Sequence, residues 1–232
     1  MTSRVVVITG AHGALGSVVA KAAAEQGARV ALIDHGQHPP PGLVEACGAE
    51  TLALGGVDLT DAAAAGAAIE AVVARFGDLD VLINIAGGFK WEPITEGDPD
   101  SWAAMFRINV LTAANTSRAA IPHLKASAAG RIVNIGANGA VKAGLGMGPY
   151  AAAKAGVHKL TESLAEELKG EGVTVNAVLP SIIDTMANRL DMPDADPSTW
   201  VSPAELAAVI LFLASEPASA VTGALIPVTG RV

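Results

Sequence analysis

From Arg4 onward, short runs of β-branched residues alternate with alanine-rich stretches of helical length, and this alternation restricts the fold more than any other feature. Two parallel strands can be joined only by a long crossover, usually a helix packed on a face of the sheet, so repeated strand–helix–strand units imply a parallel sheet covered on both sides. The runs predict strands near 4–9, 28–33, 51–57, 79–85, 130–136, 172–179 and 223–228. Helices are expected near 14–26, 60–76, 98–121, 150–169 and 202–215. A sheet buried on both faces needs a large apolar complement. Hydrophobic residues make up 51% of the chain but aromatics only 3%, so Ala, Val, Leu and Ile have to fill the core. The 232 residues are expected to form one domain, 1–232.

Two segments break the rhythm. His38-Pro39-Pro40-Pro41-Gly42 cannot be helical, because consecutive prolines lack amide donors and clash with a helical path, so the helix after the second strand has to be short or missing. The stretch 186–199 holds Pro193, Pro197 and several Asp and Asn residues and reads as a loop, and a loop of that length in a compact domain is usually functional. The strongest apolar run, Leu206–Ala214, is far shorter than the roughly 20 residues a spanning helix needs, and no membrane partner is expected. A net charge of −8 without a basic block argues against nucleic acid. The single cysteine, Cys47, fits a reducing compartment, and a cytoplasmic location is expected.

The first predicted strand ends in Thr9-Gly10-Ala11-His12-Gly13-Ala14-Leu15-Gly16 and runs into alanine-rich helix. Glycines 10, 13 and 16 suit a strand-to-helix turn tight enough to bring a pyrophosphate onto backbone amides. The second strand ends in Asp34, where a carboxylate can take the hydroxyls of an adenosine ribose and repel a 2′-phosphate; the alternative is an ordinary turn residue at a strand end. His12 and His35 are its near neighbours, and both are mostly neutral at pH 7, so NAD is the expected cofactor rather than NADP.

With Asn84-Ile85-Ala86-Gly87 and Tyr150-Ala151-Ala152-Ala153-Lys154 added to the glycine turn, in this order, the chain resembles the short-chain dehydrogenase/reductase family over essentially its whole length. The resemblance implies a Rossmann-type doubly wound α/β fold with a seven-stranded parallel sheet. It also implies a nicotinamide cofactor and reversible hydride transfer to a carbonyl, alcohol or similar small-molecule substrate, with no metal. On the same resemblance, Asp58 and Leu59 would bind adenine. Asn84, Ala86 and Gly87 match a sheet-stabilising segment beside the cofactor, with Ile85 replacing a second Asn. Asn109 would join Tyr150 and Lys154 as a catalytic residue, and Pro180, Ile183 and Thr185 would hold the nicotinamide amide, with Ser181 where Gly is usual. The helix carrying Tyr150, together with the one before it, would form a two-fold interface, giving a homodimer or homotetramer. The small residues of that helix and its apolar positions Val157, Leu160 and Leu164 are the candidates for that face.

One departure bears on the chemistry. The family's catalytic Ser stands thirteen residues before the Tyr, and that position is Ala137 here. The dihydropteridine reductase branch also works with Ala there, and Gly13-Ala14-Leu15-Gly16 and the stretch from Gly146 to His158 are similar to it.

Tyr150 and Lys154 lie one helical turn apart and project from one face. A phenol of ordinary pKa about 10 is a poor base at pH 7. A neighbouring ammonium favours its ionised form. Phe89, Trp91, Met147, Met186, Ala137 and Asn138 are candidates for the substrate pocket, although each apolar one among them could equally be core or interface. His158, a further turn along, reads as a packed histidine or a proton shuttle. A catalytically silent dinucleotide-binding sensor of the same fold is the competing reading, favoured by Ala137, Ile85 and Ser181 and opposed by Tyr150, Lys154 and Asn109.

Overall fold

The computed structural model describes all residues, 1–232. Seven parallel strands form one sheet in the order β3-β2-β1-β4-β5-β6-β7. They are β1 (Val5–Thr9), β2 (Arg29–Ile33), β3 (Leu52–Leu54), β4 (Val81–Asn84), β5 (Arg131–Ile135), β6 (Thr174–Pro180) and β7 (Leu225–Val228). The helices are α1 (Ala14–Glu25), α2 (Leu43–Cys47), α3 (Ala62–Phe76), α4 (Asp100–Phe106), α5 (Thr112–Ala126), α6 (Gly148–Leu168), α7 (Met186–Asp191) and α8 (Pro203–Leu213). This is the doubly wound architecture that the strand–helix alternation implied.

Successive strand residues point to opposite faces, so the sheet divides the core in two. Val6, Ile8, Val30, Leu32, Val81 and Ile83 pack with α1 and α8 on one side. Val5, Val7, Ala31, Ile33, Leu82 and Ile132 pack with α3, α5 and α6 on the other. The strands read as unbroken apolar runs because both faces are buried. Small side chains let the helices sit close, which an aromatic-poor sequence requires.

Local chemistry ends the helices where the sequence suggests. Asp61 caps α3 by accepting from the Ala63 and Ala64 amides, and Gly77 closes it at φ +77°. Ser202 and Glu205 form a reciprocal capping box at the start of α8, with Pro203 in the first turn.

Some boundaries differ from the sequence reading; the strand expected at 51–57, for instance, is only β3, Leu52–Leu54. The predicted helix 98–121 is α4 and α5 joined through a π-helical turn, Arg107–Leu111, and continues to Ala126 with Pro122 inside it. Segment 186–199 is not a plain loop: α7 forms because Thr185 accepts the Asn188 amide as its cap, and a 3₁₀ turn follows at Pro197–Thr199. The helix after β2 is short, as the prolines require: α2 has five residues and begins after Gly42, which is in the left-handed conformation. No helix is long and apolar enough to cross a membrane.

Candidate active site

Strand order reverses between β1 and β4, and a cleft of about 900 Å³ opens outside the carboxyl ends of the strands at this switch point. Gly10, Gly13, Ala14, Leu15 and Gly16 form one wall. Gly10 has φ +64°, and a Cβ there would lie 2.8 Å from the Ala86 nitrogen. A Cβ on Gly16 would fall 2.2 Å from the Gly10 carbonyl oxygen, so the start of α1 can lie against the turn only with glycine at this position. No side chain caps α1, whose first amides stay available at the cleft.

At the far end, both oxygens of the Asp34 carboxylate are fixed from the backbone. One accepts the His12 N–H at 2.9 Å and the other the Gly36 N–H at 2.8 Å. The His12 side chain is 8% exposed and its Nδ1 lies 3.8 Å from Asp34, yet neither ring nitrogen has a hydrogen-bond partner. A buried donor left unmet costs about 1–3 kcal/mol, so this imidazole suits a ligand that brings hydroxyls to it. Asp58, exposed at the cleft, is held below the usual carboxylate range by hydrogen bonds from Thr60, whose amide lies 2.9 Å away. Leu59, buried, and Ala86 and Gly87 complete the parts of the lining named from the sequence.

The cleft also includes residues to which the sequence assigns no binding role. Ile85, Ile108 and Thr112 supply apolar and hydroxyl surface, and Arg107 places its guanidinium 3.4 Å from the Thr60 hydroxyl. Arg107 is therefore a cation at the cleft, on the Asp58–Thr60 side. Its signal was weak, since it lies 73 residues from Asp34 in sequence.

Asn84 holds the sheet together from inside the protein. It is 4% exposed and lies outside the cleft, with Nδ2 donating to Ser117 Oγ at 3.1 Å and Asn134 Oδ1 at 2.9 Å. It ties β4 to α5 and β5, as a sheet-stabilising residue would. Pro180 ends β6, and Ile183 and Thr185 follow it; Thr185 caps α7 and Ile183 bridges to Val201.

Tyr150 and Lys154 project from the first turns of α6, next to the carboxyl end of β5. Lys154 is buried and donates from Nζ to the Ile135 carbonyl at 2.8 Å, and burial brings its pKa down to about 8. Burial pushes the Tyr150 phenol up to about 12. The ring of Phe89 meets Tyr150 edge-on, centroids 4.9 Å apart.

Asn109 lies in the π-helical turn, 1% exposed. Its Oδ1 accepts the Gly88 N–H, and its Nδ2 donates to the Gly88 and Met105 carbonyls. A Cβ on Gly87 would lie 2.5 Å from Asn109 Oδ1 and 3.5 Å from Lys154 Nζ, so the three residues converge on one point. The Asn109 side chain spends its hydrogen bonds on locking the Gly87–Gly88 segment against this lysine.

The candidate pocket residues separate into two groups. Ala137 is 4% exposed at the exit of β5, with Asn138 half-buried beside it. Trp91 packs over Gly146 and donates from Nε1 to the Leu145 carbonyl at 2.9 Å, and Met147 reaches toward Gly139. Phe89 and Trp91 are each 55% exposed and flank the Tyr150 side. Met186, the first residue of α7, is 73% exposed.

The interface face proposed from sequence is also corrected. Val157 and Leu164 are buried within the protein and Leu160 packs on the core, since α6 turns this face to the sheet. The aromatic surface left exposed nearby is Trp102 and Phe106 on α4, packed over Gly148 and Gly156 of α6.

The family described as "short chain dehydrogenase" matches residues 4–195. A 3-oxoacyl-[acyl-carrier-protein] reductase of Thermotoga maritima is 33% identical over 99% of this chain and 98% of its own. Among solved structures, a carveol dehydrogenase of Mycobacterium avium in complex with NAD superposes with TM-score 0.88 at 27% identity, covering 99% of this chain and 97% of that one. A 3-ketoacyl-(acyl-carrier-protein) reductase of Brucella melitensis complexed with NADH also gives TM-score 0.88, at 28% identity over 99% and 98% of the two chains. The cleft at the switch point, half-buried Tyr150 and buried Lys154 at the carboxyl end of β5 and these matches lead to one conclusion: the chain belongs to the short-chain dehydrogenase family and is an oxidoreductase.

Proposed function

We propose that this oxidoreductase uses NADH to reduce a planar, conjugated carbonyl or quinonoid substrate, with Tyr150 supplying the proton. The observation that carries the reading is that half-buried Tyr150 and buried Lys154 share the first turns of α6, which grips the end of β5 at Ile135 two residues before Ala137, where a hydroxyl donor would otherwise stand. A phenol held near 12 stays protonated at neutral pH and can give its proton to an oxygen on which negative charge develops. A nicotinamide cofactor held in the cleft by the Gly10–Gly16 turn and Asp34 would supply the hydride to the substrate carbon. Lys154 keeps a positive charge beside the phenol and favours the phenolate left after transfer. The substrate gains one hydride and one proton, its C=O or C=N bond becoming C–OH or C–NH.

With Ala137 in place, no serine hydroxyl polarises the substrate oxygen. A substrate already electron-poor needs that help least, and the exposed rings of Phe89 and Trp91 offer flat surface for a flat molecule. Asn138 stands beside Ala137 as an alternative donor.

Preference for NADH over NADPH rests on Asp34. Its carboxylate is fixed by His12 and Gly36 where a 2′-phosphate would meet like charge. Arg107 opposes this, but its guanidinium is engaged at Thr60. Following NADH absorbance against a panel of simple ketones, quinones and pterins tests the proposal. Turnover confined to the electron-poor substrates is expected, and equal turnover of simple ketones would contradict it.

A homodimer or homotetramer is proposed with it, on the exposed Trp102 and Phe106 beside α6. A cytoplasmic location accords with the lone buried Cys47.

A further inference from the structure

Helix α6 does more than carry Tyr150 and Lys154. Three of its polar side chains grip the end of β5 in turn. Thr161 Oγ1 accepts Asn134 Nδ2 at 2.9 Å, Lys154 Nζ donates to the Ile135 carbonyl at 2.8 Å, and His158 Nε2 accepts the Ala137 N–H at 3.3 Å. Gly136, between them, gives its own N–H to the Val178 carbonyl. A Cβ at Gly136 would come within 2.5 Å of His158 Nε2, so the backbone lies directly on the imidazole. His158 is 5% exposed.

The roles in this contact are fixed by chemistry. An amide can only donate, so Nε2 has to be unprotonated and the ring proton sits on Nδ1. Burial first, and then the Lys154 ammonium one turn away, hold His158 below the ordinary histidine range, which keeps the acceptor form. Without His158 the Ala137 amide would be a buried donor with no partner, and residues 136–138 would be free to drift.

We propose that His158 is a positioning residue for hydride transfer: it fixes the backbone at Ala137, and with it the wall against which the substrate oxygen is presented to Tyr150. In a site without a hydroxyl at 137, substrate orientation depends on where this backbone lies, and a displacement of about 1 Å can cost about 10²-fold in rate. This rests on the reading of Tyr150 as proton donor. It is distinct from a proton-shuttle role, since Nε2 is occupied by an amide that does not exchange roles.

Two measurements test it, one of them independent of turnover. Long-range ¹H–¹⁵N correlation spectra of the native protein should show His158 as the neutral Nδ1–H tautomer. Amide exchange at Ala137 should be slow in the native protein and in His158→Gln, whose Oε1 can accept in place of Nε2. In His158→Phe it should be at least tenfold faster. With any substrate turned over, His158→Phe should lower kcat tenfold or more, with NADH Kd within twofold, and His158→Gln should recover most of it. An Nε2–H tautomer in the native protein overturns the proposal. So does a His158→Phe variant with unchanged Ala137 exchange or unchanged kcat. If Tyr150→Phe leaves kcat intact while the tautomer and exchange results hold, the proton-donor reading fails and the His158 contact stands.

Discussion

The ring of Phe89 stands edge-on to the ring of Tyr150, at an interplanar angle of 81° and a centroid distance of 4.9 Å. Phe89 follows the glycines that Asn109 locks in place, so the aromatic contact is held from α4 and the π-helical turn as well as from α6. Aromatic pairs of this geometry contribute about 0.5–1.5 kcal/mol beyond their buried area. Phe89→Ala should therefore loosen the Tyr150 ring and remove part of the flat substrate surface. We expect kcat/KM for a quinonoid substrate to fall about tenfold, or about 1.4 kcal/mol, with NADH affinity unchanged by fluorescence titration.

Cofactor choice turns on Asp34. NADH should bind at least about tenfold tighter than NADPH, equivalent to about 1.4 kcal/mol. Asp34→Ser combined with His35→Arg should erase the difference by removing a like charge and adding a phosphate partner. Isothermal titration with both nucleotides checks this, and equal binding to the native protein would remove Asp34 as the discriminator.

Lys154 links stability to function. Its pKa is lowered from 10.5 to about 8 by burial, so the folded state binds fewer protons than the unfolded state between those values. Stability of the native protein should thus rise with pH across that window, and the penalty should be complete below about pH 8. On the order of 3 kcal/mol follows at about 1.36 kcal/mol per unit, reduced by the hydrogen bond to Ile135. Lys154→Met should unfold at a higher temperature than the native protein at pH 7, the advantage fading toward pH 10.5. It should also be inactive. In the native enzyme, reduction should decline above about pH 8 as the ammonium loses its proton, while Tyr150 remains protonated. Calorimetry and a pH–rate profile give the two readouts.

Much of this was legible from residues alone. Apolar runs at Val5–Thr9 and Val81–Asn84 could only be strands buried on both faces, and the glycines at 10 and 16 left one way to join strand to helix. What escaped was set by contacts distant in sequence. Arg107 reaches the cleft because the π-helical turn brings its guanidinium to Thr60, Asn84 turns inward because Ser117 and Asn134 meet it there, and α7 exists because Thr185 caps it. Val157 and Leu164 looked like an interface because an apolar stripe on a helix does not say whether its partner is the same chain or another.

Assembly is checked by light scattering. With Trp102 and Phe106 exposed beside α6, a dimer or tetramer is expected at micromolar concentration. Trp102→Glu together with Phe106→Glu should yield monomers, because burying either carboxylate unpaired is costly. A native protein that elutes as a stable 23.2 kDa monomer would contradict it.

Ala137→Ser adds back a donor facing the substrate oxygen. Losing such a donor from a site built around it costs about 2.7–4 kcal/mol. Here the gain should be smaller and selective: roughly tenfold or more on simple ketones and aldehydes, about 1.4 kcal/mol, and little on electron-poor quinonoid or conjugated substrates. Steady-state kinetics on both classes decides it.

The central claim is that Tyr150 gives the proton. Tyr150→Phe keeps the ring, its contact with Phe89 and the fold, and removes only the hydroxyl. Single-turnover reduction followed by NADH absorbance, alongside NADH titration, is the most direct test. The account predicts that turnover is lost with every substrate while NADH binds as before. Near-native rates in Tyr150→Phe would place the proton donor elsewhere and contradict it.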